Sequence, residues 1–449
     1  MLGPVLGHVS TDQANVWLRC DQFPEAPNCR LFTDASGLHP ANGSPFACTV
    51  HDMHTLFARV TYTPTAVRLY YAFYNGDRAL HDLKHFDVVN RNAFTFATVS
   101  CHHPLGFKGN DASAMWRLLH QQLNRRNGGF ILHVGDQVYM DDAVSAWLRK
   151  KTSDLPAAMA DVYQQHWSIP ALQDILANYP NYMMWDDHEI VNGWGSSSRH
   201  QQDVYREVFS ASQQSYRVFQ HLHNPDSPPG ADGFYYHFAK GDCAFIALDL
   251  RSQRAFWRKQ LLGDKQKAWI RELLADTMQS VLFVIASVPL FHLHYLLSFL
   301  PISDATDQWS HPSNAPDRKW LLQVLFDWMR AAPNRQVIVL GGDVHVATVA
   351  DIYLRDDPTC KMMQITTSPI SNNPASRVDR LVRRVSGRFE VHTENGECVR
   401  VKVFKRFTER NFLLTHVRHG VGPAVIDFQL YRENRETPSW SLPATREQH

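Results

Sequence analysis

Four short apolar runs each end in a residue able to hold a metal ion, and this restricts the fold more than any other feature of the chain. Thr98-Val99-Ser100 leads to Cys101. Phe130 to Gly135 leads to Asp136, with Tyr139, Asp141 and Asp142 close behind. Tyr182 to Trp185 leads to Asp186, Asp187, His188 and Glu189, and Val337 to Gly342 leads to Asp343 and His345. Short apolar runs bounded by Gly and Asp predict buried strands. Between them lie helical periodicities at 113–126, 157–178, 200–222, 264–276 and 317–331. Strands interleaved with helices predict an α/β core. In such sheets the ligand site lies beyond the carboxyl ends of the strands, so these four ends are expected to converge.

The convergence would assemble a thiol, a phenol, several carboxylates and two imidazoles. Carboxylates in contact repel and raise one another's pKa unless cations neutralise them. A donor set of this mixture suits two or more metals of unlike hardness. Two ions sharing one bridging Asp form a clamp for in-line displacement at phosphorus. The glycines before Asp136 and Asp343 allow sharp turns out of the strand. Each motif is weak alone, since an Asp after a strand is commonly a cap or turn residue. The ordered series Gly-Asp, Asp-His-Glu, Gly-Asp-x-His is much more specific.

Gly135-Asp136, Asp187-His188-Glu189 and Gly342-Asp343-Val344-His345 resemble the motifs of the calcineurin-like metallophosphoesterases. Three positions depart from that superfamily's usual Asp-x-His, Asn-His and His-x-His: they hold Cys101, Asp187 and Asp343. The departures resemble the alkaline phosphatase D (PhoD-like) family. Supporting matches are Leu248-Asp249-Leu250-Arg251, Asp307-Gln308-Trp309, Thr367-Ser368-Pro369 and the amino-terminal Gly3-Pro4-Val5-Leu6-Gly7 with Val16-Trp17-Leu18-Arg19. No counterpart is found for the superfamily's isolated metal His; His292 and His294 follow a strand end without a supporting context.

The resemblance implies a metal-dependent hydrolase that cleaves phosphate mono- or diesters by in-line attack of a metal-bound hydroxide. It implies that Cys101, Asp136, Tyr139 and His345 hold Fe3+, and that Asp136, Asp187 and Asp343 hold Ca2+, with Mn2+ or Zn2+ as alternatives. His188 is assigned proton donation to the leaving oxygen or stabilisation of the developing charge, and Arg251 a phosphate clamp. Duller readings stand beside these. Arg251 could pair with Asp249, and Tyr139 could pack at the sheet edge. Asp141 and Asp142 read as solvated or capping residues, and Glu189 as a support for the ligands. Only one of Asp186 and Asp187 should face the site, because strand neighbours alternate. His133, within an apolar strand, reads as a satisfied core residue.

Residues 1–95 lack helical periodicity and show short alternating runs, which predict a small antiparallel β-sandwich of immunoglobulin-like type. Residues 96–449 are expected to form the layered β-sandwich metallophosphoesterase core with a β-rich end. The fold class is therefore α/β. A balance of 45 Lys plus Arg against 44 Asp plus Glu argues against nucleic acid as partner. Seven scattered cysteines without a CxxC pair argue against a disulfide scaffold. The amino terminus lacks a basic stretch followed by an apolar one, so a cytoplasmic location is expected, or a periplasmic or secreted one after loss of a leader. Rival readings are a phosphodiesterase acting on membrane lipid or an anionic polymer, with the apolar segment 293–302 as a lip, and a non-catalytic binding protein on a degenerate scaffold. A basic amphipathic helix at 377–388 could meet a membrane surface but is read as covering a sheet edge. No obligate protein partner is evident.

Overall fold

Alternation in the first ninety residues becomes two antiparallel sheets. Leu2–Val9, Gln13–Arg19, Thr55–Thr61 and Thr49–His51 form the first; Phe46–Ala47, Pro27–Phe32, Arg68–Asn75, Arg78–Ala79 and Lys84–Asp87 form the second. Leu6, Val16, Leu18, Leu31, Leu56 and Phe73 fill the space between them. The opposite face of the first sheet is also covered: Leu2, Val5 and Trp17 belong to the core formed by the helices that follow. The structure, a computed structural model, describes residues 1–63, 68–88, 93–126, 129–292, 306–374, 387–420 and 422–443. The segment 293–302 and most of the helix expected at 377–388 lie outside these residues. Among the described residues, no helix is long and apolar enough to cross a membrane.

Two larger mixed sheets follow. The six-stranded sheet runs Asn181–Met184, Phe130–Val134, Ala93–Val99, Asn411–Gly420, Gly422–Arg432, Trp440–Pro443. Its first three strands are parallel and the others antiparallel. The division expected at residue 95 thus falls inside the strand Ala93–Val99. The eight-stranded sheet runs Tyr236–Lys240, Cys243–Ala247, Val281–Ala286, Gln336–Gly341, Lys361–Thr366, Ala347–Leu354, Cys398–Phe407, Arg388–His392. Its parallel centre comprises the strands beginning at Cys243, Val281, Gln336 and Lys361.

The sheets stack face to face through aromatic side chains, among them Phe96, Phe130, Phe245 and Phe283. Strands buried on both faces read as continuous apolar runs, as these do. Helices cover both outer faces. Met115, Trp116, Met159, Ile175 and Phe219 pack on the six-stranded sheet, while Ile270, Leu274, Leu321 and Leu325 pack on the other. The helix expected over 157–178 is two, Leu155–His166 and Pro170–Asn178. Pro170 disfavours a helical residue before it, and Ile169 is extended, with φ −70° and ψ 121°. A helix over Asp141–Leu148, absent from the sequence reading, begins at the metal-capable cluster.

Candidate metal centre

Register brings the strand ends level. Val99 lies beside His133 and His133 beside Met183, so Cys101, Asp136 and Asp186 leave three adjacent strands at one edge. Gly341 pairs with Ala286 in the other sheet, and Asp343 leaves there. Gly342 lets the two edges meet: a Cβ on it would lie 2.5 Å from the Val134 carbonyl oxygen and 2.7 Å from Ser100 Cβ. Four non-glycine site residues occupy left-handed backbone, Cys101 at φ 56°, Asp136 at 56°, Asp343 at 63° and His345 at 52°. Such conformations are strained and collect at functional sites.

Oxygens of Asp136, Asp186, Asp187 and Asp343 all lie within 4.8 Å of one another, and a second group joins Asp136, Asp187 and His188 at the same limit. Both clusters share Asp136 and Asp187, consistent with a binuclear metal centre. Burial above all, and then the neighbouring carboxylates, push the Asp343 carboxyl well above the usual range. Burial likewise raises Asp136. Asp136 Oδ1 and Asp186 Oδ2 are buried without a hydrogen-bond partner among the described residues. Buried carboxylates with unused lone pairs are unfavourable as they stand, and cations are the partners that fit.

On the other side of Asp136 a softer set converges. Asp136 Oδ2 accepts hydrogen bonds from Cys101 Sγ at 3.3 Å and from the Tyr139 hydroxyl at 3.2 Å. That hydroxyl is 3.5 Å from His345 Nε2. Ser368 donates from Oγ to Cys101 Sγ at 3.0 Å and accepts the His345 N–H at 3.0 Å, tying two of the expected ligands to one hydroxyl. Asn372 Nδ2 stands 3.4 Å from His345 Nε2. Burial pushes the Cys101 thiol and the Tyr139 phenol well up, with Asp136 adding to both, so each needs a cation to ionise there.

All of the expected ligands and His188 therefore meet in one region. Asp186 also joins the carboxylates, against the alternation argument, because the strand ends at Met184 and the next residues are irregular. Asp141, read as a solvated or capping residue, places Oδ2 2.6 Å from His188 Nδ1. The His188 ring lies 4.1 Å from that of Tyr139, and His103 stacks on Tyr139 at 4.3 Å. Burial would lower the His188 pKa, but Asp187, Asp136 and Asp141 outweigh it and hold it well above the usual value. Glu189 is taken up by the backbone N–H groups of Asp136, Gln137 and Asp186 and by Gln220, which leaves it a support rather than a ligand. His133 is satisfied by Gln137 and Asn181. His292 is in neither cluster.

Arg251 corrects the sequence reading. Its side chain has 0% exposure, and its guanidinium bonds Asp186, Asp187 at 3.4 Å, the Trp194 carbonyl at 3.2 Å and both oxygens of Asp307 at 2.7 and 2.8 Å. A phosphate clamp must offer free donors to an open cleft, and this group offers none. Nor does its guanidinium pair with Asp249, which instead accepts the backbone N–H of Arg251 at 2.9 Å and that of Phe234 at 2.6 Å. Arg251 is a buried counter-charge behind the acidic cluster. Asp307 and Gln308 were visible only as motif matches; Gln308 donates to Asp343 Oδ2 at 3.1 Å.

The pattern described as PhoD-like phosphatase matches residues 96–412. The solved structure of PhoD aligns with a TM-score of 0.69 at 17% identity, over 99% of this chain and 92% of that one. A glycosyl hydrolase family 2 member from Bacteroides cellulosilyticus aligns with a TM-score of 0.28 at 8% identity, over 98% of this chain and 62% of that one, too low to carry an argument. Comparison with curated proteins gives no match. With the motif series matched over most of the chain and its acidic residues gathered in one place, the chain belongs to the PhoD-like phosphatases, within the calcineurin-like metallophosphoesterases, and is a metal-dependent hydrolase acting on phosphate esters.

Proposed function

We propose that Cys101, Asp136, Tyr139 and His345 hold a ferric ion, and that Asp136, Asp187 and Asp343 hold a calcium ion. Thiolate and phenolate are electron-rich donors suited to iron, and carboxylate oxygens suit calcium. The observation that carries the reading is the orphaned, buried Asp136 Oδ1, in a residue whose other oxygen faces Cys101 and Tyr139. Bound cations would neutralise phosphoryl oxygens and make water acidic enough to attack phosphorus. The chain's own groups do the rest. His188, anchored by Asp141, carries the proton for the departing alcohol oxygen. Arg251 sets one positive charge against Asp186, Asp187 and Asp307 where they lie side by side.

Elemental analysis with aryl phosphate mono- and diesters tests this. Asp136→Ala should lose both metals, and its hydrolysis should fall well beyond the 10- to 100-fold loss typical of an outer-sphere change. Cys101→Ser should lose iron and any phenolate-to-iron colour while keeping calcium. Manganese or zinc in place of iron would replace the metal assignment, and full activity in Asp136→Ala would end the site assignment.

A further inference from the structure

One edge strand of the eight-stranded sheet buries a charged side chain. In Tyr236–Lys240 the inward positions are Tyr236, Phe238 and Lys240, so a lysine stands where the pattern calls for an apolar side chain. Its amine donates to the Val9 carbonyl oxygen in the first hairpin of the chain. An ammonium has three donors, and this is one of them. No carboxylate among the described residues compensates it, and burial alone lowers its pKa to about 7. Beside it lies a cavity of ≈ 440 Å³ lined by His8, Ser10, Thr11, His237 and Phe238. His8 is partly buried, with Nδ1 3.3 Å from the Tyr182 hydroxyl. Of the acids nearby, Asp12 accepts the Ser10 hydroxyl at 2.7 Å, and Asp226 is paired with Arg59 at 3.0 Å, so neither is bonded to the lysine. The cavity is remote from the metal centre. Lys240 pairs with Cys243 at the start of the parallel strands, whereas the acidic cluster lies beyond their far ends, about 17 Å along a five-residue strand.

We propose that this cavity is a second binding site, for a small oxyanion held by Lys240 with the His8 ring beside it. A buried amine with unused donors and no acid paired to it among the described residues is costly by itself, and an anion in the adjoining space supplies both charge and acceptors. Bound there, the anion joins the first hairpin to the edge of the catalytic sheet. Phosphate, released by the enzyme's own reaction, and a carboxylate share the required chemistry.

Thermal unfolding of metal-loaded wild type and Lys240→Met at pH 6, with and without inorganic phosphate or acetate, tests the site. Phosphate bound at the metal centre contributes equally to both proteins and cancels. The wild type should gain a few degrees more than the variant. A larger gain with phosphate alone assigns a phosphate site, and one with both anions a general oxyanion site. Equal gains in the two proteins for both anions overturn the proposal. Lys240→Met should keep aryl phosphate hydrolysis, so failure here is distinct from failure of the metal assignment. Crystals soaked in tungstate give a reading that does not depend on the variant's folding: an anomalous peak within bonding distance of Lys240 Nζ is expected, and its absence overturns the site.

Discussion

Asp141 holds His188 from behind, and the 2.6 Å contact between Oδ2 and Nδ1 fixes both the ring's orientation and which nitrogen faces the carboxylates. Its other oxygen accepts the Asn192 N–H at 2.9 Å, so the carboxylate is itself positioned. Asp141→Asn should therefore lower kcat by about 10- to 100-fold, as outer-sphere changes do, with metal content unchanged. Paired kinetics and elemental analysis check it; unaltered kcat would leave Asp141 only as a helix start. Single residues were legible in the sequence where chemistry and strand position coincide, as for Cys101, Asp136, Asp343 and His345. Asp186 was lost to a rule that holds only inside a strand. Ser368 showed only as part of the Thr367-Ser368-Pro369 match and Asn372 not at all, because their role comes from a loop that folds against His345 across more than twenty residues of chain. Arg251 misled because a guanidinium near an acidic site reads equally as clamp or counter-charge, and only its zero exposure separates the two.

At the scale of elements, turns between strand and helix decide the site. Gly342 sits where the two sheets touch, with Val134 and Ser100 on its far side. Gly342→Ala should push these edges apart and misplace Asp343 relative to Asp136. Retained helical circular dichroism with metal content and hydrolysis both lost is the expected result; full metal occupancy would show that the turn can yield. Strands were legible because those buried on two faces are uninterrupted apolar runs. Helix boundaries were less so. The break at Pro170 was hidden by a continuous apolar periodicity, and Asp141–Leu148 was hidden by the acidic residues that open it. Acids at a helix start favour the dipole, so a chemical motif and a helix signal coincided there.

For the molecule as a whole, the metal centre is also a fastening. The acidic cluster gathers Asp136, Asp186 and Asp187 from one sheet and Asp343 from the other, so ions bound there would link the two halves of the sandwich. Chelation should lower the unfolding free energy by about 2.7 kcal/mol relative to metal at a hundredfold excess over Kd, read as a drop in Tm. An unchanged Tm after verified metal loss would show that the sheets need no such link. The layered architecture was legible from the alternation of elements, but the relation of the amino-terminal sandwich to the rest was not, since period-two patterns do not say what covers each face. The first sheet has two tenants: Leu6 and Leu18 look one way, and Trp17 the other, its Nε1 donating to the Val218 carbonyl at 2.8 Å. A wall shared by two rooms cannot be taken down with one of them. Excising the opening ninety residues would strip a partition from beneath Trp167 and Phe219, so inheritance and design alike must treat both parts as one building.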